Sequence, residues 1–167
     1  MEIGFSLGSN LGDRLAHLTV ARQRILAEPS TTLSACAAVY ETEPVGVSDP
    51  FRDLLFLNTV LIVETNLTAP AWLALVGRIE DDLGRVRTHD RNAPRTIDID
   101  ILYAGDQYID DGGLTVPHPR WAARLFVVQP LAEVRPDLVL RGAGKPVSEV
   151  LQDLAASKGI SRFAEEW

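Results

Sequence analysis

Eight residues near the middle of the chain, Thr96-Ile97-Asp98-Ile99-Asp100-Ile101-Leu102-Tyr103, alternate in character with a period of two. Successive side chains on a strand point to opposite faces, so this run is a strand with an isoleucine face and an acidic face. Such a strand belongs in a sheet with one side on a core and the other side open. Leu54 to Thr65 is strongly apolar and β-branched, a second clear strand. Ile3 to Leu7 alternates apolar and small residues, and residues 31 to 41, ending in Val39-Tyr40-Glu41, suit another strand.

Helical periods separate these strands. Leu11, Leu15, Leu18, Ala21, Ile25 and Leu26 recur at 3.6-residue spacing, predicting a helix over about 11–28, with Gly8-Ser9-Asn10 offering capping side chains and Pro29 ending it. Trp72, Leu73, Leu75, Val76, Ile79 and Leu83 predict a second helix over about 69–83, capped by Thr68 or Asn66 and stopped at Gly84. Beyond the alternating strand come a short segment around Tyr108-Ile109 and a rigid loop, Leu114-Thr115-Val116-Pro117-His118-Pro119. Residues 120–132 read as one or two short helices broken near Pro130, Val134 to Leu140 as an edge strand, and Val147 to about Ser157 as a final helix. The order is βαββαβ plus C-terminal additions, which predicts a ferredoxin-like α+β sandwich with helices on one face of an antiparallel sheet. With 167 residues and 46% hydrophobic, the expectation is one domain over 1–167.

A net charge of -7 argues against a chain whose main work is holding nucleic acid or an anionic membrane. No apolar run approaches the ~18 residues that span a bilayer. The single cysteine, Cys36, forms no intrachain disulfide, and the first residues lack a basic then apolar leader, so a cytoplasmic setting is expected. Fourteen of the 16 basic residues are arginine, the exceptions being Lys145 and Lys158, so an arginine is marked as functional by its position and not by its type.

Asp98 and Asp100 share one strand face at about 7 Å Cα spacing. They are either the wet side of an amphipathic strand or a hard-cation site, since magnesium takes one or two carboxylates together with substrate phosphates. Arg95, stiffened by Pro94, stands three residues before them. Arg85 and Arg87 point the same way if their segment is extended, and would then grip a polyphosphate; if it is coiled they are solvated. Glu80, on the last turn of the second helix, is a surface acid or an acceptor for a ribose or heterocycle. His118 is held between two prolines, a presentation that suits phosphate, with Arg124 and Phe126 following. Asn58 shares a strand face with Phe56 and needs a partner if buried, whether a neighbouring backbone or the edge of a heterocycle stacked on the ring. The loops at about 44–53 and 84–93, rich in Pro, Gly and charge, are expected to close over substrates.

Walker, dinucleotide-binding, HExxH and GxSxG motifs are absent. Instead, Gly8-Ser9-Asn10-Leu11-Gly12, Tyr40-Glu41-Thr42-Glu43-Pro44, Phe56-Leu57-Asn58, Ile79-Glu80 with Gly84-Arg85-Val86-Arg87, Ala93-Pro94-Arg95-Thr96-Ile97-Asp98-Ile99-Asp100-Ile101 and Leu114-Thr115-Val116-Pro117-His118 together resemble the 6-hydroxymethyl-7,8-dihydropterin pyrophosphokinase family of folate biosynthesis. The resemblance runs from residue 3 to about 137. It implies magnesium-dependent transfer of the β,γ-pyrophosphoryl group of ATP to the hydroxymethyl oxygen of the pterin, with AMP released. By the same likeness Asp98 and Asp100 bind two magnesium ions, and Arg85 and Arg95 act with them in catalysis. Glu80, Arg87, Arg95, Ile101, Leu114, Thr115, His118 and Arg124 would form the ATP site. Thr42, Pro44, Val45, Phe56, Asn58 and Phe126 would form the pterin pocket, the two phenylalanines sandwiching the ring.

The chain departs from the family pattern at four places. Asn92-Ala93 stands where many members have Trp-Gly, Gly113 where some carry arginine, Gly77 where a polar residue is usual, and Phe56 where a tyrosine often stacks on the pterin. The partners expected are ATP and the pterin, without nucleic acid or membrane, for a monomeric enzyme. The alternative from another class is a ferredoxin-like nucleotide- or RNA-binding module without catalysis. The aromatic ribonucleoprotein strand that such a module would carry is absent.

Overall fold

The computed structural model describes residues 1–44, 51–86, 93–154 and 159–167. Val45 and Arg87 therefore lie outside the described residues, as do 45–50 and 87–92 of the two loops expected to close over substrates. The elements run β1 (Glu2–Ser9), α1 (Arg14–Leu26), β2 (Thr31–Cys36), β3 (Val39–Thr42), β4 (Phe56–Thr65), α2 (Ala69–Asp82), β5 (Asp98–Ala104), β6 (Ile109–Asp111), β7 (Leu114–Val116), a 3-10 turn (Trp121–Ala123), α3 (Leu125–Val134), α4 (Val147–Leu154) and β8 (Ile160–Ala164).

The main sheet has the order β5-β1-β4-β3-β8, with β2 also on β4, and every pairing in it is antiparallel. This is the ferredoxin-like order, with the central β1 and β4 paired from Glu2↔Glu64 to Ser9↔Leu57. β2 and β3 lie on the same edge of β4 as one strand broken at Ala37-Ala38. The break leaves no backbone group stranded, because the Thr59 hydroxyl donates to the Ala37 and Ala38 carbonyls at 3.1 Å each and Ala38 N donates to Glu133 Oε1 at 3.3 Å.

Alternation gives the sheet two unlike faces. Ile3, Phe5, Leu7, Leu57, Leu61, Val63, Ile97, Ile99 and Ile101 form the first, packed under α1 and α2 with Leu18, Ile25, Trp72, Val76 and Ile79. Each such side chain contributes about 1.5–3 kcal/mol by leaving water, and Phe5 meets Trp72 edge-on at 5.0 Å. On the opposite face α3 and α4 cover only one end, packing Val127, Val128, Leu131, Val147 and Val150 on Val60, Ile62, Leu102 and Tyr103. The predicted ferredoxin-like core is thus present, and the C-terminal additions cover part of its second face.

Several expectations need correction. α1 is capped by Asp13, whose Oδ1 accepts from Ala16 N at 3.1 Å, and not by Ser9 or Asn10. α3 runs through Pro130 unbroken: a mid-helix proline costs about 3 kcal/mol, and the fully buried Val127, Val128 and Leu131 outweigh it. Residues 134–140 form no strand. Pro136 and Asp137 turn the chain there, and the Pro136 and Leu138 carbonyls accept from the start of α4, at Ser148 N and Val147 N, both at 2.9 Å. Leu114–Val116 is a strand and not a loop, pairing with β6 as a hairpin. β8, which pairs with β3, has no counterpart in the sequence reading. Among the described residues no helix is long and apolar enough to cross a membrane.

Candidate active site

The uncovered end of the second face begins at β5. Asp98 and Asp100 keep side-chain exposures of 28% and 37%, while Ile99 and Ile101 beside them are buried against α2. Across the sheet, Gly8 of β1 pairs with Asp98 on one side and with Asn58 of β4 on the other. A Cβ on Gly8 would stand 2.9 Å from Asn58 Oδ1 and 3.8 Å from the Phe56 ring, so only glycine keeps this floor clear. Asp98 and Asn58 are therefore two strand spacings, about 10 Å, apart over a bare backbone.

Three arginines, two from the connection between α2 and β5 and one from the turn before α3, converge on the two aspartates. Arg85, just past α2, approaches Asp98 Oδ1 at 2.6 Å, and Arg95 donates to Asp98 Oδ2 at 2.9 Å. Arg124, from the turn before α3, donates to Asp100 Oδ2 at 3.1 Å. Glu80 ties this cluster to the fold. Only 5% exposed, it reaches from α2 to accept from Ile99 N at 2.8 Å with the same oxygen that pairs with Arg85. Three carboxylates thus face three guanidiniums.

His118 stands at the other flank, its Nε2 3.7 Å from Asp100 Oδ2. Its backbone N donates to Leu102 O at 2.8 Å, and its Nδ1 accepts from Arg120 N at 3.1 Å. With Nδ1 an acceptor, the neutral ring carries its proton on Nε2, facing the carboxylate. Burial pushes this imidazole below its usual range; the Asp100 charge opposes, and the Arg124 and Arg120 charges reinforce, the shift.

Beyond Gly8 lies a second, neutral cluster. Asn58 and Thr42 are both buried, and Asn58 Nδ2 donates to Thr42 Oγ1 at 2.7 Å. The partner that Asn58 requires is therefore a side chain on β3, not a backbone group. Phe56 is half-buried and pairs directly with Thr42 in the ladder. Phe126, in the first turn of α3, lies under the Arg124 guanidinium at 5.6 Å, which connects it to Asp100 through that arginine. Pro44 follows β3 at the end of the described stretch.

The structure does not bring every predicted residue's side chain to this face. Ile101 and Leu114 are packed in the core under α1 and α2, and Thr115 lies on the hairpin beside Asp110, with 3.2 Å between their side-chain oxygens. One contributor was not foreseen: Asn10 accepts from Arg95 N at 2.8 Å through its side chain and donates its own backbone N–H to Arg95 O at 3.2 Å. These two bonds fix the arginine's backbone against the end of β1. The Gly-Ser-Asn turn was visible in the sequence, but its partner 85 residues away was not.

The donor set suits magnesium. Asp98 and Asp100 offer hard oxygens at a partly wet surface, and among the described residues no group of three or more His, Cys, Asp or Glu gathers as a metal cage. A cation that takes one or two carboxylates and fills its shell with water and phosphate needs no more.

Comparison with known proteins gives the family and the fold. A family model described as 7,8-dihydro-6-hydroxymethylpterin-pyrophosphokinase (HPPK) matches residues 4–136. A 2-amino-4-hydroxy-6-hydroxymethyldihydropteridine pyrophosphokinase of Methylorubrum extorquens is 43% identical over 157 residues, 93% of this chain and 94% of the relative. Its Bacillus subtilis namesake is 41% identical over 129 residues, 77% of this chain and 75% of the relative. Among solved structures, wild-type Plasmodium falciparum HPPK-DHPS with pteroate superposes with a TM-score of 0.71 at 13% identity, covering 91% of this chain and 42% of that one. An HPPK-DHPS in complex with substrates gives 0.70 at 12% identity, covering 96% and 46%. The chain spans less than half the length of those two-part proteins, and the likeness to them is one of fold. On the family match and its near full-length relatives, the chain belongs to the 7,8-dihydro-6-hydroxymethylpterin-pyrophosphokinase family.

Proposed function

We propose that the uncovered end of the second sheet face is where this chain carries out its family's reaction. The protein is an ATP-dependent diphosphokinase of folate biosynthesis: it transfers pyrophosphate from ATP to 6-hydroxymethyl-7,8-dihydropterin, yielding AMP and the pterin diphosphate. The family assignment decides against the non-catalytic binding module.

The observation that carries the placement is the row Asp98–Gly8–Asn58, which sets a charged cluster and a neutral amide–aromatic cluster side by side on one floor. The charged end takes the polyphosphate. Arg85, Arg95 and Arg124 present forked donors there, and a triphosphate offers them more negative charge than the two aspartates do. When bound by Asp98 and Asp100, magnesium supplies charge neutralisation of the polyphosphate and polarisation of the hydroxymethyl oxygen; two side-by-side aspartates support two ions. His118 presents an N–H toward the same phosphates. Glu80 and Arg87 complete the nucleotide side with Thr115. Because the Ile101 and Leu114 side chains are buried, those two residues serve the nucleotide through their main chain.

At the neutral end, Phe56 and Phe126 hold the two faces of the pterin, and Asn58, Thr42, Pro44 and Val45 meet its edge. Asn58 commits one amide N–H to Thr42 and keeps Oδ1 as an acceptor for a ring N–H. Both oxygens of Asp98 are engaged by arginines, which suits it to charge balance and not to the role of a base, and rate is supplied by in-line positioning and charge. The reading is of a monomer that works in the cytoplasm; the net charge of -7 supports a chain that does not hold nucleic acid. Incubation with ATP, magnesium and 6-hydroxymethyl-7,8-dihydropterin, with products resolved by 31P NMR, tests the reading. AMP and pterin diphosphate in equal amounts are expected; ADP, or free pyrophosphate as the primary product, would overturn it.

A further inference from the structure

The stretch between β3 and β4 leaves the sheet after Thr42 and returns at Phe56, and these two residues pair directly across the ladder. Glu41 and Leu55 stand immediately before them. One guanidinium holds both. Arg14, the first residue of α1, pairs through Nη2 with Glu41 Oε1 at 2.8 Å and donates from Nη1 to the Leu55 carbonyl at 2.9 Å. The same group lies 5.8 Å from the ring centre of Phe163 on β8, the strand that flanks β3.

The planar fork of a guanidinium presents its N–H groups at fixed angles, so satisfying both partners fixes where Glu41 and Leu55 stand relative to each other. The β3–β4 ladder pairs Glu41 with Leu57 and Thr42 with Phe56 but does not include Leu55. Around Arg14 lies an open cleft of about 300 Å³, with Asn10, Leu11 and Gly12 on one wall and Asp53 and Leu54 on another. The Arg14–Glu41 pair is itself partly exposed, 26% on each side, and a pair of that kind adds little to global stability. Its effect is local.

We infer that Arg14 is a positioning residue for the pterin half of the site: by gripping Glu41 and Leu55 it sets the placement of Thr42 and Phe56 without touching substrate. This deepens the proposed function and rests on the assignment of Thr42, Phe56 and Asn58 to the pterin. Glu41 faces α1 while Thr42 faces the site, as strand alternation requires, so the clamp acts through the backbone between them.

Steady-state kinetics on the full chain provide the test. Arg14→Gln should raise KM for the pterin roughly tenfold while kcat and KM for ATP stay within about twofold, a split that general loosening of the fold would not produce. Arg14→Lys restores one arm of the clamp and should fall between wild type and Arg14→Gln, since an ammonium does not span both partners. If Arg14→Gln folds poorly, Glu41→Gln removes the ion pair while leaving the Leu55 bond, and it should also raise the pterin KM selectively. Phe56→Ala in the same assay separates the two claims. A raised pterin KM in Phe56→Ala with wild-type values in Arg14→Gln and Glu41→Gln overturns the clamp alone. An unchanged pterin KM in Phe56→Ala overturns the pterin assignment and the clamp together.

Discussion

The two faces of the main sheet are built by the same strands, residue by alternate residue, yet they are closed to different extents. The face under α1 and α2 is closed: Ile3, Phe5, Leu7, Leu57, Leu61, Ile97 and Ile99 are all 5% exposed or less. The other face is closed only where α3 and α4 reach it, around Val60, Ile62 and Tyr103. Where that cover stops, β1 offers Gly8, β4 offers Phe56 and Asn58, and β5 offers its two aspartates. A period of two lets one strand carry core and site at once, so neighbouring residues should fail in different ways when changed.

Substitutions can strike one face at a time. Phe5→Ala empties a fully buried ring site beside Trp72 and should cost about 3–5 kcal/mol in urea unfolding, while the folded fraction keeps wild-type KM for both substrates. A substrate-specific defect in that variant would show that the faces are coupled. Asp98→Ala or Asp100→Ala should instead lose roughly 100-fold or more in kcat, the equivalent of about 3 kcal/mol of transition-state stabilisation. Stability should fall only slightly. The two acids are screened by Arg85, Arg95 and Arg124, so their removal relieves little repulsion and leaves arginines without those partners. A large drop in thermal midpoint would make the pair structural.

Within the uncovered face, Phe56→Ala should weaken pterin binding by roughly 1–3 kcal/mol and leave ATP binding nearly unchanged, as read by calorimetry. Equal losses for both ligands would erase the division between charged and neutral ends. The smallest effect is expected under the cover of α3, at Glu2. Burial, the largest single influence, pushes its carboxyl up, but hydrogen bonds from Arg135 and Tyr103 with the Arg135 charge hold it below the usual carboxylate range. The native state therefore binds fewer protons there than the unfolded chain. Glu2 contributes stability above the ordinary carboxylate pKa, and that contribution is lost as pH falls through its lowered value. Glu2→Gln should flatten the acid limb of a stability–pH profile without altering KM at neutral pH; an unchanged acid limb would show that the carboxylate is not linked to folding.

What could be read from the sequence follows the same division. The βαββαβ core and the side-by-side aspartates are local periodic features, and periodicity survives folding. Asp98 and Asp100 face the same way in the structure because nothing but strand geometry was needed to say so. Long-range pairings were not legible. Asn10 reads as a helix cap until Arg95 is folded against it, and Arg14 is one of fourteen arginines until Glu41 and Leu55 arrive at its fork. β8 carries Ser161 and Arg162 and borders only one neighbour, so it lacks the apolar alternation that announces an inner strand. Pro130 suggested a break because the local cost is visible in sequence, whereas the buried contacts that exceed it are tertiary.

The magnesium role proposed for Asp98 and Asp100 sets the cation against a polyphosphate gripped by the surrounding arginines. It is tested most directly by calorimetric titration of a non-hydrolysable ATP analogue at low and saturating magnesium, in wild type and in Asp98→Ala and Asp100→Ala. Wild type should bind the analogue roughly tenfold or more tightly as magnesium rises. The variants should show little magnesium dependence, and without magnesium they should bind at least as well as wild type, because the deleted carboxylate no longer competes with phosphate for the arginines. The same magnesium dependence in wild type and in both variants would contradict that role.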